Sequence, residues 1–286
     1  MIPRRSVLYL PGANTRALAK ARTLACDSLI LDLEDAVAPA NKAAARANVT
    51  AAVNAGGFGY RELVVRVNGL DTPWGRDDLQ AVAGLDLAAV LFPKVDSAPA
   101  VQDLLAALDA AGGDKLPVWL MIESPASILN VPAIACASPR IGALVAGTSD
   151  LVQALRARHT PGRDNLAFAL QQCVTAARAA GIDALDGVHL DFRNTDSFRA
   201  ACVAARDMGF DGKTLIHPAQ IDIANECFGP DPAAVEHAER VLATWQAALA
   251  DGRGVAELDG QLIENLHAAE AERTLAYARA LAAREP

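Results

Sequence analysis

Short apolar runs and longer alanine-rich stretches alternate along the first four-fifths of the chain. The runs are rich in β-branched and aliphatic residues, and the stretches between them place apolar residues at helical spacing, as Val101, Leu104, Leu105 and Leu108 do. This alternation indicates successive βα units around a parallel sheet. We predict strands at residues 7–10, 29–33, 63–67, 89–92, 118–122, 143–146, 185–190 and 214–216. Eight such strands favour a closed α/β TIM barrel, (β/α)₈, over an open sheet.

A composition break follows the eighth run. Gly229-Pro230-Asp231-Pro232 interrupts the pattern, and two further helical stretches come after it. We therefore predict a catalytic barrel over residues 1–228 and a C-terminal helical arm over residues 229–286. The apolar stripes of the arm have too few partners within it, so we expect it to pack on the barrel or on a neighbouring subunit of a homo-oligomer.

Charge and cysteine content narrow the class of protein. Lys and Arg total 26 against 34 Asp and Glu, and the sequence contains no basic run, so a nucleic-acid partner is not expected. The longest apolar runs fall short of the ~18 residues that cross a bilayer, which argues against a membrane protein. Five widely spaced cysteines without a C-x-x-C pair fit buried thiols in a reducing cytoplasm.

Charged side chains recur where the predicted strands end. Six of the predicted strands end in or just before such residues. They are Asp32, Glu34 and Asp35 at the second strand, Arg66 at the third, Lys94 after the fourth, Glu123 after the fifth, Asp150 after the sixth and His217 after the eighth. The carboxyl ends of TIM-barrel strands form the active-site rim. The pattern therefore predicts a polar site at that rim. Taken alone, His217 is more readily explained as a satisfied core histidine, and we leave it out of the catalytic set.

Glu123 and Asp150 form the strongest candidate metal site. Each follows an apolar strand directly or by a short loop, and buried carboxylates need partners. Two oxygen ligands from adjacent strands, with no clustered His or Cys, favour Mg²⁺ over Zn²⁺. An alternative is that Asp150 only caps the helix that begins near Leu151.

Several motifs resemble those of the citrate lyase β-subunit (CitE-like) family. They occur in order along nearly the whole chain and read RSVLYLPG at 5–12, DLEDAV at 32–37, RVNG at 66–69, PKV at 93–95, IES at 122–124, GTSDL at 147–151, GFDGK at 209–213 and IHPAQI at 216–221. The resemblance implies a TIM-barrel lyase that cleaves or forms a small β-hydroxyacyl-CoA, such as malyl-CoA or citramalyl-CoA. The products would be an acyl-CoA and a 2-oxo acid.

The same resemblance assigns roles to individual residues. Glu123 and Asp150 match the Mg²⁺ ligands, and Arg66 matches an arginine that contacts substrate oxygens beside the metal. Lys94 lies in a matching stretch and is a candidate substrate-binding residue, while Glu34 resembles a carboxylate close to the substrate. We expect Arg66 to offer a planar two-donor fork to oxygens that gain negative charge during the reaction.

Glu264 lies in a segment that usually carries an aspartate in the CoA-using members. By resemblance, that aspartate reaches the active site of a neighbouring subunit in a trimer or hexamer and takes part in proton transfer. Glu264 is therefore a candidate catalytic residue. The alternative is an exposed glutamate in the first turn of the final helix.

Two other functions stay open at this point. One is the β-subunit of a citrate lyase complex, whose thioester is carried by an acyl carrier protein. The other is a barrel that binds metal and oxo acid without catalysis.

Overall fold

A computed structural model describes residues 2–284 and confirms the closed barrel. Its eight strands pair in parallel in chain order, and the last pairs with the first. They are β1 (Ser6–Pro11), β2 (Ser28–Asp32), β3 (Glu62–Arg66), β4 (Ala89–Phe92), β5 (Val118–Ile122), β6 (Ile141–Ala146), β7 (Asp183–Asp186) and β8 (Gly212–Leu215). Closure brings the carboxyl ends of all eight strands to one rim.

Nine α-helices lie between these strands and directly after β8, within residues 4–228. They are α1 (Thr15–Lys20), α2 (Lys42–Ala55), α3 (Gly75–Val82), α4 (Ala98–Ala110), α5 (Pro125–Ala135), α6 (Thr148–Ala154), α7 (Ala167–Ala180), α8 (Thr195–Met208) and α9 (Ile221–Phe228). Local sequence sets several ends: Ser97 and Ser124 cap the starts of α4 and α5, and left-handed Gly181 and Gly209 end α7 and α8.

The alternation of side chains along each strand produces two apolar layers. One set packs inside the barrel and includes Ile30, Leu91 and Trp119. The other set, with Leu29 and Leu120 among its members, packs against the surrounding helices. The strands therefore have almost no solvent-facing positions, which explains their nearly continuous apolar runs.

Two predicted strands differ from the observed ones. The seventh was expected at residues 185–190, but β7 ends at Asp186, and Leu190 is exposed. A methyl group at Gly187 would overlap backbone and side-chain atoms of β6 and α6, so the chain turns there into a loop. The eighth starts two residues earlier than expected, at Gly212, which packs closely against the backbone of Arg4.

The residues from Gly229 onward form a compact unit separate from Arg4–Phe228. This C-terminal unit contains α10 (Pro232–Ala250), β9 (Ala256–Leu258), β10 (Gln261–Ile263) and α11 (Asn265–Ala282). Val241, Ile263 and Leu275 belong to its own apolar cluster. The arm is thus helical, as expected, but also contains a hairpin that the sequence analysis missed. Its predicted packing on a neighbouring subunit stays a prediction.

No helix within residues 2–284 is long and apolar enough to cross a membrane.

Candidate active site

A cavity of about 330 Å³ opens at the rim where the predicted charged residues converge. It is enclosed by side chains from the ends of β1, β2, β3, β5 and β6 and from the loops after β6, β7 and β8. The wall contains Tyr9, Asp32, Asp35, Ala36, Arg66, Met121, Glu123, Ala146, Gly147, Thr148, Ser149, Asp150, Val188, Thr214 and Ile216. Carboxylates, one arginine and several apolar groups therefore face the same space.

Glu123 follows β5 and is only 2% exposed. Its Oε1 accepts a hydrogen bond of 2.7 Å from the backbone N–H of Lys94, whereas its buried Oε2 has no hydrogen-bond partner among the described residues. Burial raises the pKa of Glu123 to about 8; the Lys94 N–H lowers it, and the carboxylate of Asp150 raises it. An unsatisfied buried carboxylate oxygen is costly and indicates a missing cationic or donor partner.

Gly147 lies directly against Glu123. A methyl group at residue 147 would overlap Cβ and Oε2 of Glu123. Gly147 also caps α6, which places Asp150 in the first turn of that helix instead of at its cap. The alternative that Asp150 serves as the helix cap is therefore wrong.

The two carboxylates fit a Mg²⁺ ion. Among residues 2–284 no group of three or more His, Cys, Asp or Glu side chains is placed to hold a metal, so Glu123 and Asp150 would act as a pair. Mg²⁺ typically takes one or two carboxylates from the protein and completes its shell with waters and substrate oxygens. Glu123, whose Oε2 has no hydrogen-bond partner among the described residues, and the half-buried Asp150 line the same cavity and would hold such an ion.

Arg66 ends β3 and is buried, but its donor fork is used differently from the prediction. Nε and Nη2 donate to the two Asp32 carboxylate oxygens at 2.6 and 2.7 Å. Burial alone would lower the pKa of Arg66, and the hydrogen bonds and charge of Asp32 raise it well above its usual value. Only Nη1 points elsewhere, to Met121 Sδ at 3.6 Å and Glu34 Oε2 at 3.2 Å. Asp32 thus occupies the Nε–Nη2 side of the guanidinium, while Nη1 lies near Glu34 and Met121. Contact of Arg66 with substrate stays a prediction.

Glu34 and Lys94 form an ion pair next to Arg66. The buried Glu34 accepts a hydrogen bond of 3.0 Å from Lys94 Nζ and lies 3.2 Å from Arg66 Nη1. Lys94 has left-handed backbone angles, with φ of 54°, and these angles accompany the N–H bond to Glu123. Lys94 therefore reaches the site through its backbone, while its ammonium group pairs with Glu34. Direct substrate contact by either side chain stays a prediction.

Glu264 lies in the C-terminal unit, at the residue that precedes α11. It is half-buried, and its backbone N–H donates to His267 Nδ1 at 3.1 Å. Its role in proton transfer stays a prediction. His217 is exposed, so the expectation of a core histidine is wrong; the ring stacks on Phe192, with ring centres 4.5 Å apart, and its Nδ1 accepts from the Ala219 N–H at the start of a helical turn.

The sequence analysis missed three residues that line the cavity and gave no individual role to Asp32. Asp32 orients Arg66, and Tyr9, Met121 and Ser149 face the cavity. The Ser149 hydroxyl is buried and, within the described residues, has no hydrogen-bond partner. Asp32 was visible as a rim carboxylate, but nothing in the sequence indicated that it faces Arg66.

Comparison with known proteins identifies the family of this chain and two similar proteins. Residues 5–218 match the HpcH/HpaI aldolase/citrate lyase family. The chain is 47% identical to a (3S)-malyl-CoA thioesterase of Cereibacter sphaeroides, over 98% of this chain and 96% of that one. It is 37% identical to an L-malyl-CoA/β-methylmalyl-CoA lyase of the same species, again over 98% and 96%.

A solved structure also aligns along almost the whole chain. It is that of the protein CitE from Mycobacterium tuberculosis in complex with magnesium, acetoacetate and coenzyme A. The TM-score is 0.78 at 30% identity, and the alignment covers 97% of this chain and 98% of that one. These matches confirm the family resemblance inferred from the sequence motifs.

Proposed function

We propose that this chain, which belongs to the HpcH/HpaI aldolase/citrate lyase family, is a Mg²⁺-dependent enzyme that hydrolyses a small hydroxyacyl-CoA such as (3S)-malyl-CoA. The observation that carries the proposal is the buried Oε2 of Glu123, which lacks a hydrogen-bond partner among the described residues and shares the cavity wall with Asp150. The 47% identity to a (3S)-malyl-CoA thioesterase supports the choice of substrate and reaction.

Glu123 and Asp150 would hold the metal ion. When bound, Mg²⁺ offsets the negative charge of the carboxylate and hydroxyl oxygens that a malyl group carries on adjacent carbons. The structure with bound magnesium and coenzyme A in this family supports both ligand classes. The hydroxyl of Ser149, which has no hydrogen-bond partner among the described residues, is available to orient a substrate oxygen beside that pair.

Hydrolysis requires water to attack the thioester carbonyl carbon. A C–O bond forms while the electron pair of the C=O bond moves to the carbonyl oxygen, and the C–S bond then breaks with its pair on sulfur. One water proton ends on the thiol and the other on the new carboxyl group. The chain's task is to hold the carbonyl and to stabilise the charge on its oxygen.

Carbon–carbon cleavage of the same substrate is the second candidate, and it is the reaction expected from the sequence. The identity to an L-malyl-CoA/β-methylmalyl-CoA lyase favours it. In this reaction the hydroxyl group loses its proton and becomes the aldehyde oxygen of glyoxylate. The bond from its carbon to the CH₂ group beside the thioester breaks, and the electron pair of that bond forms the enolate of acetyl-CoA, which is then protonated. The products are glyoxylate and acetyl-CoA.

One assay with two readouts distinguishes these reactions. The purified chain is incubated with (3S)-malyl-CoA and Mg²⁺, free thiol is measured, and the carbon products are separated. Hydrolysis gives one thiol and one malate per turnover, whereas cleavage gives acetyl-CoA and glyoxylate without free thiol. Turnover to neither product pair would contradict the proposed function and support a barrel that only binds its ligands.

Coenzyme A is our proposed carrier, in place of an acyl carrier protein. The names of both relatives specify CoA thioesters, and each is matched over 96% of its length. The purified chain should therefore turn over the CoA thioester without a protein partner. Activity that appears only after addition of a malyl or citryl acyl carrier protein would favour the citrate lyase alternative.

A further inference from the structure

Two hydrogen-bond donors in the cavity lie near one thioether sulfur, and one of them, Arg66 Nη1, also lies 3.2 Å from Glu34 Oε2. The Tyr9 hydroxyl lies 3.8 Å from Met121 Sδ, and Arg66 Nη1 lies 3.6 Å from the same sulfur. A thioether sulfur is a poor acceptor compared with a carbonyl or an anionic oxygen. The Tyr9 hydroxyl therefore keeps most of its donor capacity for an oxygen that binds in the cavity beside this sulfur.

The two donors and the sulfur lie on three alternate strands of the barrel. Tyr9 comes from β1, Arg66 from β3 and Met121 from β5, and in a TIM barrel the inward side chains of alternate strands lie in one layer. The Arg66 guanidinium lies 4.9 Å from the centre of the Tyr9 ring, and two bonds to Asp32 hold its other nitrogens. Neither donor depends on a flexible loop, so the pair is preorganised.

Tyr9 remains a donor at neutral pH. Burial raises the pKa of its phenol; Arg66 lowers it, and the carboxylates of Asp32, Glu123 and Glu34 raise it. Tyr9 is half-buried in the cavity wall, and its contact with a thioether leaves the hydroxyl able to donate to a ligand oxygen. If residue 9 only packed against its neighbours, phenylalanine would fit this position equally well.

We propose that the Tyr9 hydroxyl, next to Arg66 Nη1, donates a hydrogen bond to the carbonyl oxygen of the substrate's thioester, which binds in the cavity beside Met121 Sδ. This inference rests on the proposed function, since it takes a thioester as the substrate. Glu123 and Asp150 then serve the hydroxy-acid end, and Tyr9 with Arg66 serves the thioester end. The two sets of residues line one cavity.

The same donor pair would serve either reaction. In hydrolysis the carbonyl oxygen becomes the oxyanion of the tetrahedral intermediate, and in carbon–carbon cleavage it becomes the enolate oxygen. Both oxygens carry more negative charge than the carbonyl of the bound substrate. Donors aimed at this oxygen therefore stabilise the transition state more than the ground state and act mainly on kcat.

The Tyr9→Phe variant tests the inference, because it removes one oxygen and keeps the ring under Arg66. We expect kcat to fall by about 10²- to 10³-fold, as for loss of one oxyanion donor, while KM and the Mg²⁺ dissociation constant change by less than about threefold. The matched control is Tyr60→Phe, which makes the same chemical change at an exposed residue that does not line this cavity. That control should keep wild-type kcat and KM.

The possible results separate this inference from the function on which it rests. An active wild-type chain together with an equally active Tyr9→Phe variant would overturn the role of Tyr9 and leave the proposed function standing. A loss seen in KM alone would also overturn it, because it would indicate equal binding of ground state and transition state. Turnover to neither product pair by the wild-type chain would overturn the proposed function, and this inference with it.

Discussion

Gly147 determines where the Glu123 carboxylate can lie. A side chain at residue 147 would occupy the space of Glu123 Cβ and Oε2, so only glycine allows the end of β6 to approach β5 this closely. The contact joins the two strand ends that carry the candidate metal ligands, because Asp150 follows three residues after Gly147. A residue without a side chain thus positions the site.

A Gly147→Ala substitution should therefore weaken the metal site without unfolding the barrel. We expect the added methyl group to displace Glu123 and to lower the affinity for Mg²⁺ about 10- to 100-fold, the range typical of residues that orient metal ligands. Calorimetric titration with Mg²⁺ measures the change. The control is Gly142→Ala on the same strand, where a methyl group lies 3.4 Å or more from its neighbours and binding should be unchanged. Equal Mg²⁺ affinity of Gly147→Ala and wild type would contradict this account.

Several residues of the site could be predicted from the sequence, but their partners could not. Glu123, Asp150 and Arg66 each end or follow a predicted strand, so their place on the rim follows from strand position alone. That Asp32 occupies the fork of Arg66, or that Lys94 reaches Glu123 through its backbone N–H, depends on which side chains face one another around the closed barrel. No spacing along the chain encodes that geometry.

At the level of elements, β7 and β8 are joined by a buried ion cluster. Lys213 Nζ donates to Asp186 Oδ2 at 2.5 Å, and Arg163 Nη1 donates to Oδ1 at 2.7 Å. Asp186 is completely buried and Lys213 is 1% exposed. Burial would raise the pKa of Asp186, but Lys213 and Arg163 lower it below its usual range. The cluster links the end of β7 to β8, and removing one partner would leave the other charge buried and unpaired.

This cluster predicts a specific pH dependence of stability. The pKa of Asp186 is lower in the native chain than in the unfolded chain, so the unfolded chain binds more protons at this residue as the pH falls through about 4. Its contribution to the free energy of unfolding is therefore present above about pH 4 and is lost as the pH falls. The double variant Asp186→Asn with Lys213→Met lacks this effect. Between pH 5 and 3, its free energy of unfolding should fall less steeply than that of wild type, by up to about 1.4 kcal/mol per pH unit.

Urea unfolding followed by circular dichroism across this pH range measures both slopes. Identical slopes for the wild-type chain and the double variant would show that Asp186 titrates alike in the native and unfolded states, and would remove the cluster from the account of stability.

The elements most easily predicted were those with long, strongly patterned segments. Six of the eight strands were predicted close to their observed positions, whereas the end of β7 was misplaced because Leu185 to Leu190 stays largely apolar beyond the turn at Gly187. The hairpin of β9 and β10 was missed because each strand has three residues, too few to show an alternating pattern. Its turn at Asp259 and Gly260, both with positive φ, was the available signal.

For the whole molecule, barrel closure and family membership were predictable, but the use of the C-terminal unit was not. Eight strands with intervening helices specify a barrel. A catalytic role of Glu264 would depend on how the C-terminal unit packs in the assembled protein, and the periodicity of one chain does not encode that packing. Glu264 precedes α11 in a unit distinct from the barrel, so a catalytic role requires that unit to approach an active site.

A mixing experiment tests whether Glu264 acts across subunits. We expect Glu264→Gln and Glu123→Gln oligomers each to be inactive, and a mixture unfolded and reassembled to regain activity. Random mixing in equal amounts leaves both carboxylates intact in about one quarter of the shared sites of a ring assembly. Turnover of the reassembled mixture, compared with reassembled wild type, measures that fraction. Full activity of the Glu264→Gln oligomer, or an inactive mixture that is correctly folded, would contradict catalysis between subunits.

The central claim is that Glu123 and Asp150 hold a Mg²⁺ ion on which turnover depends. It is tested most directly by titrating Mg²⁺ into wild type, Glu123→Gln, Asp150→Asn and the control Glu226→Gln, which neutralises an exposed carboxylate paired with Arg199. Malyl-CoA turnover is measured on the same samples. We predict that each of the first two variants binds Mg²⁺ at least about 100-fold more weakly, since a neutral amide replaces an anionic oxygen ligand. Both should also lose turnover while keeping the wild-type fold, and the control should match wild type. A Glu123→Gln chain that binds Mg²⁺ and turns over malyl-CoA like the wild type would contradict the account.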